Sequence, residues 1–173
     1  NPSDDVEAKA AVEAAYNYYG PVYMRFGRAA CPVINDTPEY KFEIGKGITL
    51  REGKDVAIIA TGIEVAYALE AAEMLAADGI EATVVNIHTI KPLDKELVVN
   101  VAKATGKVFT VEEHSIIGGL GSAVAECLCD EYPCKVTRIG VNDVFGESGP
   151  AGELIAKYGL DGKSIYEKVK SEM

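Results

Sequence analysis

Short apolar runs that alternate with segments of helical periodicity constrain this chain more than any other feature. Val56 to Ala60, Ala82 to Ile87, Lys107 to Val111 and Lys135 to Ile139 are compact and mostly apolar. Between them lie Glu64 to Asp78, Asp94 to Thr105 and Ser122 to Glu131, which read as helices. The helix from Glu64 places Val65, Leu69, Ala72 and Leu75 inward and stops at Gly79, and Asp94 is suited to cap the next helix. Apolar strands alternating with helices of about 10 to 15 residues predict a largely parallel sheet covered on both faces. Gly47 to Leu50 is an edge-strand candidate, and the short turn at Glu52-Gly53-Lys54 leaves room for it to run antiparallel. The expected fold is therefore α/β, a three-layer α/β/α arrangement with a mostly parallel sheet of about five strands. Ala151 to Tyr158 and Ser164 to Lys170 close the chain as short helices, with Gly159 between them.

The amino-terminal part reads differently. Val6 to Tyr19 is a helix that Asp4 or Ser3 could cap, Gly20-Pro21 breaks it, and Val22, Tyr23, Met24 and Phe26 suggest a short strand ending at Gly27. A polar stretch with Pro32, Asn35, Asp36, Thr37 and Pro38 follows and reads as a linker. The working division is residues 1–40, then a compact domain over 41–173. The chain opens on Asn-Pro-Ser-Asp-Asp without an initiator Met or an export signal, which suggests a cytoplasmic piece of something longer.

Bulk properties narrow the function classes. With 173 residues and 48% hydrophobic composition the chain can bury a real core. No apolar run approaches the roughly 20 residues of a membrane span. A formal charge of −10 opposes nucleic-acid binding and keeps the surface solvated. The cysteines Cys31, Cys127, Cys129 and Cys134 read as reduced thiols, because Cys127 and Cys129 point to different faces of one helix and only 2 His could complete a metal site.

Few residues suggest chemistry. Gly118-Gly119-Leu120-Gly121-Ser122 opens a helix, where an anion could meet free N–H groups. Val124 stands where the dinucleotide fingerprint wants glycine or alanine, and Glu112-Glu113 lies just upstream, so close packing of the helix start is the preferred reading over anion or NAD binding. His88 and His114 each end a strand, the usual place for a ligand in an open α/β sheet. The plainer reading of His88 is a hydrogen bond to a neighbouring loop, with Pro92 shaping the turn. Arg28 lies just past Gly27, free to grip a phosphate or to form a surface ion pair. No Gly-x-Ser-x-Gly turn or P-loop is present.

Four blocks together resemble the end of a transketolase-family chain: Gly20-Pro21-Val22-Tyr23-Met24-Arg25-Phe26-Gly27-Arg28, Ile87-His88-Thr89-Ile90-Lys91-Pro92-Leu93-Asp94, Thr110 to Ser122, and Phe145-Gly146-Glu147-Ser148-Gly149-Pro150 with Leu154, Tyr158 and Gly159. The resemblance implies the end of a pyrimidine-binding domain, then the family's C-terminal domain. It implies a complete enzyme that uses thiamine diphosphate and Mg²⁺ to pass a two-carbon ketol unit between sugar phosphates as a homodimer. An N-terminal section or subunit would then supply the cofactor and metal sites, with no catalytic, cofactor or metal residue expected in this chain. The residue carried across is Arg28, matching the family's arginine at the substrate phosphate. Deoxyxylulose-phosphate synthases and 2-oxoacid dehydrogenase β subunits end similarly, and His88-Thr89 favours the transketolase branch. A non-catalytic dimerisation or regulatory module remains an alternative.

Overall fold

The computed structural model describes residues 1–173. Its elements are α1 (Asp5–Asn17), β1 (Ile48–Arg51), β2 (Val56–Ala60), α2 (Glu64–Ala77), β3 (Ala82–Asn86), α3 (Lys95–Thr105), β4 (Val108–Ser115), α4 (Leu120–Glu131), β5 (Val136–Val141), α5 (Ala151–Lys157) and α6 (Gly162–Lys170). The strands form one sheet in the order β1-β3-β2-β4-β5. β1 runs antiparallel to β3, and the other neighbours are parallel. The expected three-layer α/β architecture, with its antiparallel edge, is what forms.

Strand alternation explains the two cores. Val56, Ile58 and Ala60 of β2 face one side and pack with Val65, Leu75, Ile155, Ile165 and Val169 of α2, α5 and α6. Ala57 and Ile59 face the other side and pack with Val98 of α3 and Val124, Cys127 and Leu128 of α4. Each fully buried Ile or Leu here is worth about 1.5–3 kcal/mol against exposure. At the end of α2, Gly79 takes φ +79°, and the N–H groups of Gly79 and Ile80 close onto Ala76 O and Leu75 O. All four cysteines are free thiols.

Near the strand ends two boundaries differ from expectation, and one expected strand is absent. β4 runs on to Ser115, because β5 pairs with it beyond the end of β2, so Glu112, Glu113 and His114 lie inside the strand. α4 starts at Leu120, two residues ahead of expectation, because a carboxylate below captures its first N–H groups. The expected strand at Val22 to Phe26 does not form: residues 21–27 make no ladder with any strand of the sheet. Its β-prone composition has no paired neighbour to act on, and propensity alone cannot supply one.

α1 docks mainly through polar groups, with Ala11 its one buried apolar side chain. Asp4 caps it, accepting from Glu7 N at 2.8 Å, and its second oxygen accepts from Ile34 N and Asn35 N at 2.8 and 2.7 Å. Burial opposes ionisation of Asp4, yet these N–H groups hold its pKa below the ordinary value. Glu7 is fully buried and accepts four hydrogen bonds, from Ser3 N, Ser3 Oγ, Tyr40 Oη and Asn86 Nδ2, at 2.7 to 3.0 Å. Glu7 thus ties the start of α1 to β3 through Asn86, while Asp4 ties it to the polar stretch at Ile34 and Asn35.

Candidate functional site

The order in which the chain adds strands reverses at β2, with β3 laid on one side of it and β4 on the other. The connection after β2 leads to α2 on one face, and that after β4 leads to α4 on the other. Such a switch point opens a crevice beyond the carboxyl ends of the strands, where open α/β sheets hold ligands. A cleft of about 900 Å³ lies there. Thr61, His88, Glu112 and His114 from the strand ends line it, together with Tyr18 and Tyr23 of the amino-terminal part.

His88 is 3% exposed and stacks on Phe42 with ring centroids 4.2 Å apart. Its Nδ1 lies 2.8 Å from Thr89 Oγ1, and its Nε2 is buried without a partner. Burial holds the imidazole below the ordinary histidine value, with Glu7 pulling the other way. His114 is half exposed; its Nδ1 sits 2.9 Å from Ser115 O and 4.0 Å from Glu112 Oε2. The cleft therefore brings the two strand-end histidines to one place. Arg28 stands apart, exposed and outside the cleft lining. Arg25 lines the cleft and donates from Nη2 to Glu113 O at 2.7 Å.

The glycine-rich helix start is already occupied. Glu112 is buried, and its two oxygens accept from Leu120 N at 2.7 Å and Gly121 N at 2.8 Å, so the anion at the positive end of α4 belongs to the chain itself. A Cβ on Gly119 would lie 2.0 Å from Glu112 Oε2, which is why a glycine stands there. The preferred sequence reading was close packing; the structure shows packing around an internal carboxylate. No group of three or more His, Cys, Asp or Glu is placed to hold a metal ion. With α4 capped from within and no ligand cluster, the residues present do not fit a diphosphate and its metal.

Two features escaped the sequence reading. Asp4-Asp5-Val6-Glu7 carries the capping-box spacing, which could have flagged Glu7 as more than surface charge. Glu64, the first residue of α2, is fully buried with neither carboxyl oxygen hydrogen-bonded. Burial first, then Glu113 and Asp161, push its pKa up to about 8. Only the tertiary fold reveals that, since an acidic residue at a helix start is ordinary in sequence.

The model of the family described as "Transketolase, C-terminal domain" matches residues 45–165. A protein of Methanocaldococcus jannaschii named as a transketolase C-terminal section is 48% identical over 174 residues, covering 99% of this chain and 54% of that protein. A 6-deoxy-6-sulfo-D-fructose transketolase subunit of a Clostridium species is 49% identical, over 95% of this chain and 51% of its own length. A 1-deoxy-D-xylulose-5-phosphate synthase of Geobacter sulfurreducens is 44% identical over 95% of this chain but 26% of its own length. A solved structure titled as a split-gene transketolase, an inactive β4 tetramer, superposes with a TM-score of 0.93 at 52% identity, covering 98% of this chain and 55% of that one. The chain thus spans about half the length of the first two relatives and of the solved structure. Family model, relatives and superposition agree over residues 45–165, and the chain belongs to the transketolase family, whose C-terminal domain it carries.

Proposed function

We propose that this chain is the C-terminal part of a thiamine-diphosphate-dependent transketolase that transfers a two-carbon ketol unit between sugar phosphates, and that it is inactive alone. The observation that carries this reading is the family domain over residues 45–165 in a chain that spans about half the length of the relatives it matches. The cofactor and Mg²⁺, which supply the carbanion chemistry when bound, then belong to an N-terminal section or subunit, and the complete enzyme is a dimer. Relatives named as a C-terminal section and as a subunit support that division.

In this reading residues 1–40 end the pyrimidine-binding domain and residues 41–173 form the C-terminal domain. Arg28 contacts the substrate phosphate. It suits that role because it is exposed and makes no hydrogen bond or ion pair within the chain, so its guanidinium fork is available to an anion. Likeness to a deoxyxylulose-phosphate synthase over 95% of the chain favours a second reading, a family member forming a deoxy sugar phosphate. The test is ketol transfer from a ketose phosphate to an aldose phosphate with thiamine diphosphate and Mg²⁺, run on the parent with its partner and on this chain alone. Activity is expected only in the first. Turnover by this chain alone overturns the reading, and deoxy sugar phosphate formation from pyruvate by the parent with its partner selects the second.

A further inference from the structure

A second groove, of about 520 Å³, lies between α4 and β5, and no residue of the amino-terminal part lines it. Ser122, Ala125, Glu126 and Cys129 form one wall, and their i, i+3, i+4, i+7 spacing makes them a single stripe of the helix. Cys134, Val136 and Arg138 belong to the other wall, as alternate residues on one face of β5 and its approach. The walls meet at one end, where a Cβ on Gly121 would lie 2.8 Å from Arg138 Cγ. From there α4 runs away from Gly121 while β5 is traced backwards from Arg138, because the short connection at residues 132–135 joins their far ends. Eight residues along α4 cover about 12 Å and reach Cys129, and four residues back from Arg138 cover about 13 Å and reach Cys134. Both thiols therefore stand at the connection end of the groove, one on each wall. Cys129 is exposed and Cys134 half-buried, whereas Cys127 is 3% exposed in the core between α3 and α4.

We propose that Cys129 and Cys134 are a reversible dithiol–disulfide site for low-molecular-weight disulfides of the glutathione class. Cys129, the exposed member, reacts first. Its thiolate attacks one sulfur of the small disulfide, forming a mixed disulfide and releasing one small thiolate. The Cys134 thiolate then attacks the Cys129 sulfur, and the second small thiolate leaves. The two protons given up by the cysteines go to the two departing thiolates. The protein dithiol is oxidised by two electrons, and the small disulfide is reduced by two. The new bond closes a ring over the connection at residues 132–135 and fixes the last turn of α4 to the start of β5.

The experiment incubates the folded chain with equal millimolar oxidised and reduced glutathione, blocks the remaining thiols by alkylation, and maps the products by mass spectrometry. Cleavage after Glu131 separates Cys129 from Cys134, so a link between them joins two peptides. The linked chain is expected to exceed the singly glutathionylated chain by about tenfold or more, since the second step is intramolecular. Cys134→Ser should stop the reaction at the mixed disulfide on Cys129. Cys129→Ser, on the exposed stripe, should slow glutathione incorporation at the groove about tenfold. Cys127→Ser should leave the link in place. A link through Cys127, a link between two chains, or glutathione on Cys129 with no link in the unsubstituted chain would each overturn the proposal. Adding the N-terminal section that the proposed function assigns to the complete enzyme should leave the link unchanged; shielding of both thiols would overturn the proposal by making the groove an interface.

Discussion

The sheet of residues 48–141 and the segment of residues 19–33 are built on opposite terms. In the sheet, β2 and β3 are buried along their whole length and each is paired on both sides. In the segment, Tyr19 and Tyr23 are almost wholly exposed, Val22, Phe26 and Val33 are about half exposed, and one arginine supplies the tie. The two regions have similar apolar residues and differ in whether a neighbour is present to cover them. Order in this chain follows from satisfied neighbours, and composition is a poor substitute for them.

The contrast can be sharpened by substitution. Ile58→Ala, in the centre of β2, should cost about 2–5 kcal/mol in chemical denaturation, since it opens a cavity among rigid neighbours. Glu7→Ala should cost about 2–3 kcal/mol, because it strands buried donors of Ser3 and Asn86; a smaller loss would mean that α1 contributes little to holding the sheet.

Glu64 gives a pH signature. Its folded-state pKa is raised from 4.5 to about 8, so the native state holds a proton that the unfolded chain releases. Stability from this group therefore falls as pH rises from about 4.5 towards 8. Glu64→Gln, compared with the parent sequence by thermal unfolding at pH 5 and pH 8, should flatten that slope; an unchanged slope would assign it elsewhere. The smallest effect is expected in the segment, where Tyr23→Ala should change stability by less than about 0.5 kcal/mol. A loss near that of Ile58→Ala would break the comparison.

Legibility followed the same divide. Apolar runs and their helices were readable because the residues that satisfy them lie within the same sheet, and Asp94 and Gly79 marked boundaries through local capping chemistry that needs no tertiary information. Val22 to Phe26 read as a strand because its composition suits one, and no strand of the sheet pairs with it. At the cleft, His88 and His114 were visible as strand-end residues. Their convergence was not, because it depends on the strand order β3-β2-β4, which no local pattern encodes. Glu112 read as a charge that would repel an anion, whereas it is itself the anion at α4, a role set by the bulged end of β4.

The most direct test of the central contrast is amide hydrogen exchange on this chain, alone and with the N-terminal section that the proposed function assigns to the complete enzyme. Residues 19–33 alone should exchange within seconds while β2, β3 and β4 stay protected, and adding the section should slow exchange at 19–33 and leave the sheet unchanged. Protection of 19–33 in the isolated chain, or no change there on addition, would contradict the account.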